Sequence, residues 1–123
     1  MAKGGSVKYT ITAKGAAEVM KALGAEGAKA LEDRLDLIVE ANAVKIANEA
    51  KENAPERDRF LKRSIKLYGK PVRLERTIGS NMPYAQRQEY EHKSKRGYFR
   101  KALWSGREPF RSAIQNEIKK LGR

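Results

Sequence analysis

The sequence predicts an α+β fold in which a small antiparallel β-sheet packs with one long α-helix and a C-terminal α-helix. Three observations predict its parts. Residues 6–13 alternate between apolar and polar side chains, residues 64–79 have the pattern of a β-hairpin, and apolar residues recur at helical spacing from 26 to 53. A chain of 123 residues is expected to form a single domain. Because it contains no cysteine, disulfides and thiolate chemistry are excluded.

The first strand is predicted at residues 6–13. Its apolar face consists of Val7, Tyr9, Ile11 and Ala13. Gly15 is expected to end the strand. A short helix is predicted from Ala16 to Leu23, with Gly24 as its stop.

One long helix is predicted from about Glu26 to Asn53, ended by Pro55. Its apolar stripe consists of Leu31, Leu35, Ile38, Ala43, Ile46, Ala47, Ala50 and Ala54. Leu37, Val39 and Val44 widen this stripe, so more than one face of the helix should be covered. A helix of about 28 residues is roughly 40 Å long. That length predicts an overhanging end or packing against a neighbouring subunit.

The middle of the chain is predicted to form a hairpin. A single helical turn is expected at residues 60–65, followed by a strand that begins at Ile65. Gly69–Lys70–Pro71 is the expected turn, and residues 72–78 alternate as a second strand. We expect residues 84–90 to extend this unit.

Residues 91–107 are predicted to form a basic aromatic loop or a long hairpin, because cations and aromatic side chains are interleaved there without a clear period. Pro109 is expected to open the last helix, since proline is well tolerated in a first helical turn. Phe110, Ala113 and Ile114 would lie on the apolar side of that helix.

The net charge of +12 lies entirely in the second half of the chain. Residues 1–55 hold eight Lys/Arg and eight Asp/Glu, whereas residues 56–123 hold nineteen Lys/Arg and seven Asp/Glu. Such polarity favours nucleic acid, an anionic surface or an acidic protein as partner. The candidate DNA or partner contacts are Arg57, Arg59, Lys62, Arg63 and Lys66, and then Lys93, Lys95, Arg96, Tyr98, Phe99, Arg100, Lys101 and Trp104. Contact with phosphates would not by itself read a base sequence.

Catalysis has little support in the sequence. His92 is the only histidine, so a two-histidine metal site is impossible, and its polar surroundings favour a solvated side chain. Asp33, Asp36 and Glu40 share a helical surface with cations nearby, which predicts a solvated charged face. No metal or cofactor is expected. A small basic ribonuclease toxin remains an alternative, as does a nonspecific nucleic-acid-binding module.

Three short signatures occur in a fixed order. The first combines Asn53–Ala54–Pro55 with Leu61, Ser64 and Ile65. The second runs through Ile78, Gly79, Ser80, Pro83, Tyr84, Ala85, Glu89 and Tyr90. The third is Pro109–Phe110 with Ala113. In this order and spacing they resemble the tail-completion, or head–tail joining, family of tailed bacteriophages and prophages. The chain departs from that family at Asp58–Arg59–Phe60, where an Asp-Thr-Gly turn is usual, and at Glu91, where a glycine is usual.

The resemblance implies a small antiparallel sheet packed with the long helix and the C-terminal helix, and no enzymatic activity. It implies a structural virion protein that forms a ring at the neck, with six copies expected and twelve as the alternative. The implied partners are further copies of the chain, portal or adaptor proteins, tail-tube or tail-terminator proteins, and the double-stranded DNA that passes. It implies a location in the virion neck, and in the host cytoplasm during assembly, with no membrane partner.

Overall fold

The computed structural model describes residues 6–16, 20–54, 59–91, 95 and 97–120. In chain order the elements are β1 (Val7–Thr12), a 3-10 turn (Lys14–Ala16), α1 (Gly24–Asn53), α2 (Arg59–Ser64), β2 (Lys66–Val72), β3 (Glu75–Ser80), α3 (Ala85–Glu91) and α4 (Tyr98–Lys120). The three strands form an antiparallel sheet in the order β1-β3-β2. The long helix α1 packs on this sheet and on α4. The predicted fold class is therefore confirmed.

Strand β1 has the predicted alternation. Val7, Ile11 and Ala13 are buried and Tyr9 is half-buried. Pairing with β3 runs from Val7 opposite Ser80 to Thr12 opposite Glu75. The first strand in the chain therefore lies beside the last one, which is the central strand of the sheet.

The short helix predicted at residues 16–23 lies partly outside the described residues. Ala16 belongs to the 3-10 turn, and Met20 and Lys21 are helical. Gly24, the first residue of α1, adopts a φ of +76°, a conformation that glycine tolerates.

Helix α1 is slightly longer than predicted, about 45 Å for its 30 residues. Its core stripe consists of Leu31, Leu35, Val39, Ala43, Ile46, Ala47 and Ala50, all of which are buried. Leu37 and Val44 are 70% and 43% exposed. We expected more than one face of α1 to be covered. The described residues of this chain leave the face that carries Leu37 and Val44 exposed.

The prediction of a hairpin turn at Gly69–Lys70–Pro71 was wrong. The chain reverses at Arg73 and Leu74, and Gly69 instead lies in an irregular part of β2 where the register with β3 shifts. Leu74 adopts a φ of +66°, which is unfavourable for leucine. Asp36 of α1 compensates by accepting a 2.8 Å hydrogen bond from the Leu74 N–H, and the leucine side chain is buried.

The loop predicted at residues 91–107 was wrong from Tyr98 onward, because α4 runs without interruption from Tyr98 to Lys120. Pro109 lies inside this helix and does not open it. Packing of the first turns on α1 explains the difference. Tyr98, Phe99, Ala102 and Gly106 are buried, so tertiary contacts begin the helix eleven residues before the proline.

Residues 85–91 extend the central unit as a short helix, α3, which leads toward α4. No helix within the described ranges is both long and apolar enough to cross a membrane.

Candidate functional site

Glu89 is a completely buried carboxylate at the start of α4. Its Oε1 accepts a 3.0 Å hydrogen bond from the Phe99 N–H, and its Oε2 accepts one of 3.2 Å from the Arg100 N–H. These N–H groups belong to the first turn of α4, where backbone N–H groups find no acceptor within the helix. A negative charge is also favoured there by the helix dipole. Glu89 of α3 therefore caps α4 from outside the helix.

Tyr9 connects the same carboxylate to the sheet. Its hydroxyl donates a 2.9 Å hydrogen bond to Glu89 Oε2, and its ring centroid lies 5.6 Å from that of Phe99. Burial, followed by the hydrogen bond to Glu89, raises the pKa of Tyr9 above its ordinary value. The tyrosine therefore stays a neutral donor, and the cluster holds β1, α3 and α4 together.

A second joint links the end of α2 to the end of β3. The Ser64 hydroxyl donates to the Leu61 carbonyl at 2.6 Å, so the Ser80 hydroxyl is the donor in the bond between the two serines. Tyr68 donates its hydroxyl proton to the Ser64 carbonyl and accepts a 3.2 Å bond from the Asn81 N–H. The first two signatures of the sequence thus meet through hydrogen bonds.

A third joint links the exit of α1 to α4. The Asn53 side-chain amide donates to the Tyr98 carbonyl at 3.4 Å, and the Tyr98 hydroxyl donates to the Ala85 carbonyl at 3.0 Å. Tyr98 is completely buried. The prediction that it contacts DNA or a partner was therefore wrong, and the same holds for the buried Phe99.

Several of the remaining signature residues serve packing. A side chain at Gly79 would overlap the Val7 carbonyl of β1, so glycine permits close pairing of these strands. Ala85 is buried, whereas Tyr84 and Phe110 are half-buried against the core. Pro83 and Pro109 are exposed, and Pro55 lies outside the described residues.

The acidic face of α1 binds the hairpin, so the prediction of a solvated face was wrong for Asp36. Both oxygens of Asp36 accept hydrogen bonds from the Arg76 guanidinium, at 3.1 and 2.9 Å, and Glu40 accepts a third at 3.1 Å. The bonds from Arg76 hold the pKa of Asp36 below its ordinary value, with a smaller contribution from the Leu74 N–H and an opposing one from burial. Arg73 lies over Glu32 and Asp33 on the same helix.

The predicted basic contacts are dispersed over several elements. Arg59 and Arg63 are exposed on α2, where Lys62 is half-buried, and Lys101 and Trp104 are exposed on α4. Trp104 is 72% exposed, with the Arg107 guanidinium 5.3 Å from its ring centroid. Lys95 is half-buried, and Arg57, Lys93, Arg96 and His92 lie outside the described residues.

Arg100 is largely occupied by neighbouring groups. Its Nε lies 3.3 Å from Glu89 Oε2, and its guanidinium lies 4.7 Å from the ring centroid of Tyr90, which is partly exposed. Half of the Arg100 side chain remains accessible. Its main role is therefore to secure the start of α4.

The sequence reasoning missed one cluster on the solvent face of the sheet. The ammonium groups of Lys8 and Lys66 lie 5.7 and 5.3 Å from the ring centroid of Tyr68. The alternation in β1 places Lys8 on the solvent face, but only the strand register places Lys8 and Lys66 on the two sides of the same central-strand residue, Gly79. In the part of the chain that the structure describes, no group of three or more acidic or histidine side chains could hold a metal ion.

Comparison with protein families gives a match over more than half of the chain. The model of the HK97 gp10-like family, described as bacteriophage tail components, matches residues 17–90. The chain belongs to this family. The resemblance seen in the sequence signatures is thereby confirmed, and this HK97 gp10-like protein is a structural tail component of a bacteriophage and so a part of the virion. The matched range contains Asn53, Ser64, Ser80 and Glu89, whereas Tyr9 and helix α4 lie outside it. No curated protein and no solved structure matches the chain.

Proposed function

We propose that this HK97 gp10-like protein forms an oligomeric ring at the head–tail interface and joins the portal or its adaptor to the tail. Six copies are the expected number and twelve the alternative. On the tail side the partners would be tail-tube or tail-terminator proteins. The protein would act by assembly alone, without a catalytic step or a cofactor.

The outer face of α1 is the observation that carries this proposal. Leu37, Ala41 and Val44 follow one another at steps of four and three residues, and all three are exposed. They lie on the side of α1 opposite the buried stripe. An apolar face at the middle of a 30-residue helix is typical of a surface that becomes covered in an assembly.

A second copy of the chain is the partner that this face fits best. A closed ring requires each copy to offer two different surfaces to its two neighbours. The α1 face supplies one of them, and Ala41 and Val44 continue into a shallow groove that reaches Ser105 of α4. Trp104 and Lys101 lie on the exposed side of α4, where we expect contacts with head or tail proteins.

The proposal is tested with the double variant Leu37→Gln and Val44→Gln, which keeps good helix formers on α1. The variant is expected to fold, as judged by circular dichroism, but to be absent from isolated virion necks. The matched control is Lys29→Gln, which changes an exposed residue of the same helix outside the apolar face. Normal incorporation of the double variant into necks would contradict the proposal.

A further inference from the structure

We infer that one end of the sheet's solvent face, built by Lys8, Lys66 and Tyr68 and continued by α2, binds the phosphate backbone of double-stranded DNA. We call this the Lys8–Lys66 surface. The inference rests on the proposed function, because a ring at the head–tail interface would surround the path of the DNA. It assigns that contact to a defined part of the fold.

The strand register creates the surface. Lys8 of β1 and Lys66 of β2 both lie opposite Gly79 of the central strand, on the face that points away from α1. Since each strand spacing is about 4.8 Å, the two lysine backbones are roughly 10 Å apart. Both ammonium groups lie over the Tyr68 ring, which is itself fixed by hydrogen bonds to Ser64 and Asn81.

Helix α2 ends at the same end of the sheet. It ends at Ser64, which is hydrogen-bonded to Ser80 at the same end of the sheet as Lys8 and Lys66. Arg59 and Arg63 are exposed on this helix. We therefore include the exposed cations of α2 in the proposed surface.

Among the residues that the structure describes, the cations of this surface have no carboxylate partners. Within the described ranges, no Asp or Glu oxygen lies within ion-pair distance of Lys8, Arg59, Lys62, Arg63 or Lys66. Arg73, Arg76 and Arg100, by contrast, are all paired with acidic groups. The positive charge at this end of the sheet is therefore available to an external anion.

The chemistry of the surface favours a phosphate backbone over an acidic protein. Thr10 and Thr77 form the next cross-strand pair and present hydroxyl groups beside the lysines. Lys, Arg, Thr and Tyr are residue types that commonly contact phosphates. Lysine is depleted at the centres of protein–protein interfaces, where apolar anchors predominate. Such contacts position DNA without reading its sequence.

The test measures binding of the full chain to a labelled DNA duplex by fluorescence anisotropy at salt concentrations from about 50 to 200 mM. The double variant Lys8→Gln and Lys66→Gln is compared with Lys21→Gln and Lys29→Gln. The control pair removes the same charge at the opposite end of the molecule, where α1 contacts the hairpin turn. Circular dichroism establishes that both variants fold.

Wild type should bind with a steep salt dependence. The Lys8/Lys66 variant should bind about tenfold more weakly at low salt, with the log–log salt slope reduced by about 2. The control should keep nearly the wild-type slope. Equal weakening by the two double variants, or no salt-dependent binding by wild type, would overturn the inference.

A competition arm separates DNA from an acidic protein. Poly-glutamate at matched charge concentration should displace the duplex poorly. If it displaces the duplex as well as unlabelled DNA does, an acidic protein surface becomes the better partner and the inference fails. Neither failure affects ring formation, which is measured by incorporation of the Leu37/Val44 variant into necks.

Discussion

At the residue scale, Glu89 shows how a signature residue acts inside the protein. The carboxylate of this α3 residue lies between β1 and the first turn of α4. Its partners are two backbone N–H groups, the Tyr9 hydroxyl and Arg100. Replacing it would leave these donors without an acceptor in a buried place. We therefore assign Glu89 to assembly of the fold and not to contact with a partner.

Glu89→Gln should lower the free energy of unfolding by about 3 kcal/mol, because the amide removes the charge and turns an NH₂ group toward existing donors. Urea denaturation at neutral pH measures this change. Glu108→Gln is the control on α4, where the carboxylate is 70% exposed, and its effect should stay within about 0.5 kcal/mol. Equal effects of the two substitutions would show that Glu89 is not a cap.

Asp36 gives stability a dependence on pH. Its pKa is lowered in the folded protein, so the folded state binds its proton less tightly than the unfolded state does. The stabilisation is therefore present above the ordinary aspartate pKa of about 3.9 and is lost as the pH falls through the lower, folded value.

Asp36→Asn should lower the free energy of unfolding by about 2 kcal/mol at neutral pH and should flatten its decline below about pH 4. Urea denaturation over a series of acidic pH values provides the measurement. Asp33→Asn, whose side chain is half exposed, is the matched control and should change stability by less than about 1 kcal/mol. An unchanged acidic slope in Asp36→Asn would contradict this account.

At the scale of the elements, the pairing of β1 with β3 depends on the absence of a side chain at Gly79. A Cβ at Gly79 would overlap the Val7 carbonyl, and backbone cannot move aside as a flexible side chain can. Gly79→Ala should therefore destabilise the protein by at least about 2 kcal/mol, as measured by chemical denaturation.

Gly15→Ala is the matched control, since nothing lies within 4 Å of its added Cβ and its φ is not positive. It should be neutral or slightly stabilising. A Gly79→Ala protein as stable as this control would disprove the close approach of the two strands.

Helix α4 contains a proline that the packing tolerates. Pro109 cannot donate to the Ser105 carbonyl, but Ser105 is exposed, so water can satisfy that oxygen. Pro109→Ala should restore the hydrogen bond and raise the melting temperature, since alanine is favoured over proline inside helices by up to about 3 kcal/mol. A lower melting temperature, measured by circular dichroism, would show that the proline bend is required for packing on α1.

Local pattern was sufficient for β1 and α1, whose periods of two and 3.6 extend over whole elements. It failed at Leu74, because the turn is set by a hydrogen bond that the Leu74 N–H donates to Asp36, 38 residues earlier in the chain. It failed again at Pro109, where burial of Tyr98 and Phe99 starts the helix early. The signatures identified the family, but the contacts of Ser64, Glu89 and Lys8 depend on strand register and on packing between distant segments.

At the scale of the whole molecule, interior joints and open surfaces have different roles. The signatures hold the elements together at interior joints, while the apolar face of α1 and the Lys8–Lys66 surface remain open. A tail component with a fixed interior and two open surfaces of different chemistry suits a ring that contacts its own copies and DNA. Ring formation at the neck is the central claim that follows.

The most direct test deletes the gene from the phage or prophage that encodes it and images the resulting particles by electron microscopy. The account predicts filled heads and complete tails that remain separate, with joining restored by wild type and by Lys29→Gln but not by the Leu37/Val44 variant. Complete virions in normal numbers without the protein would contradict it.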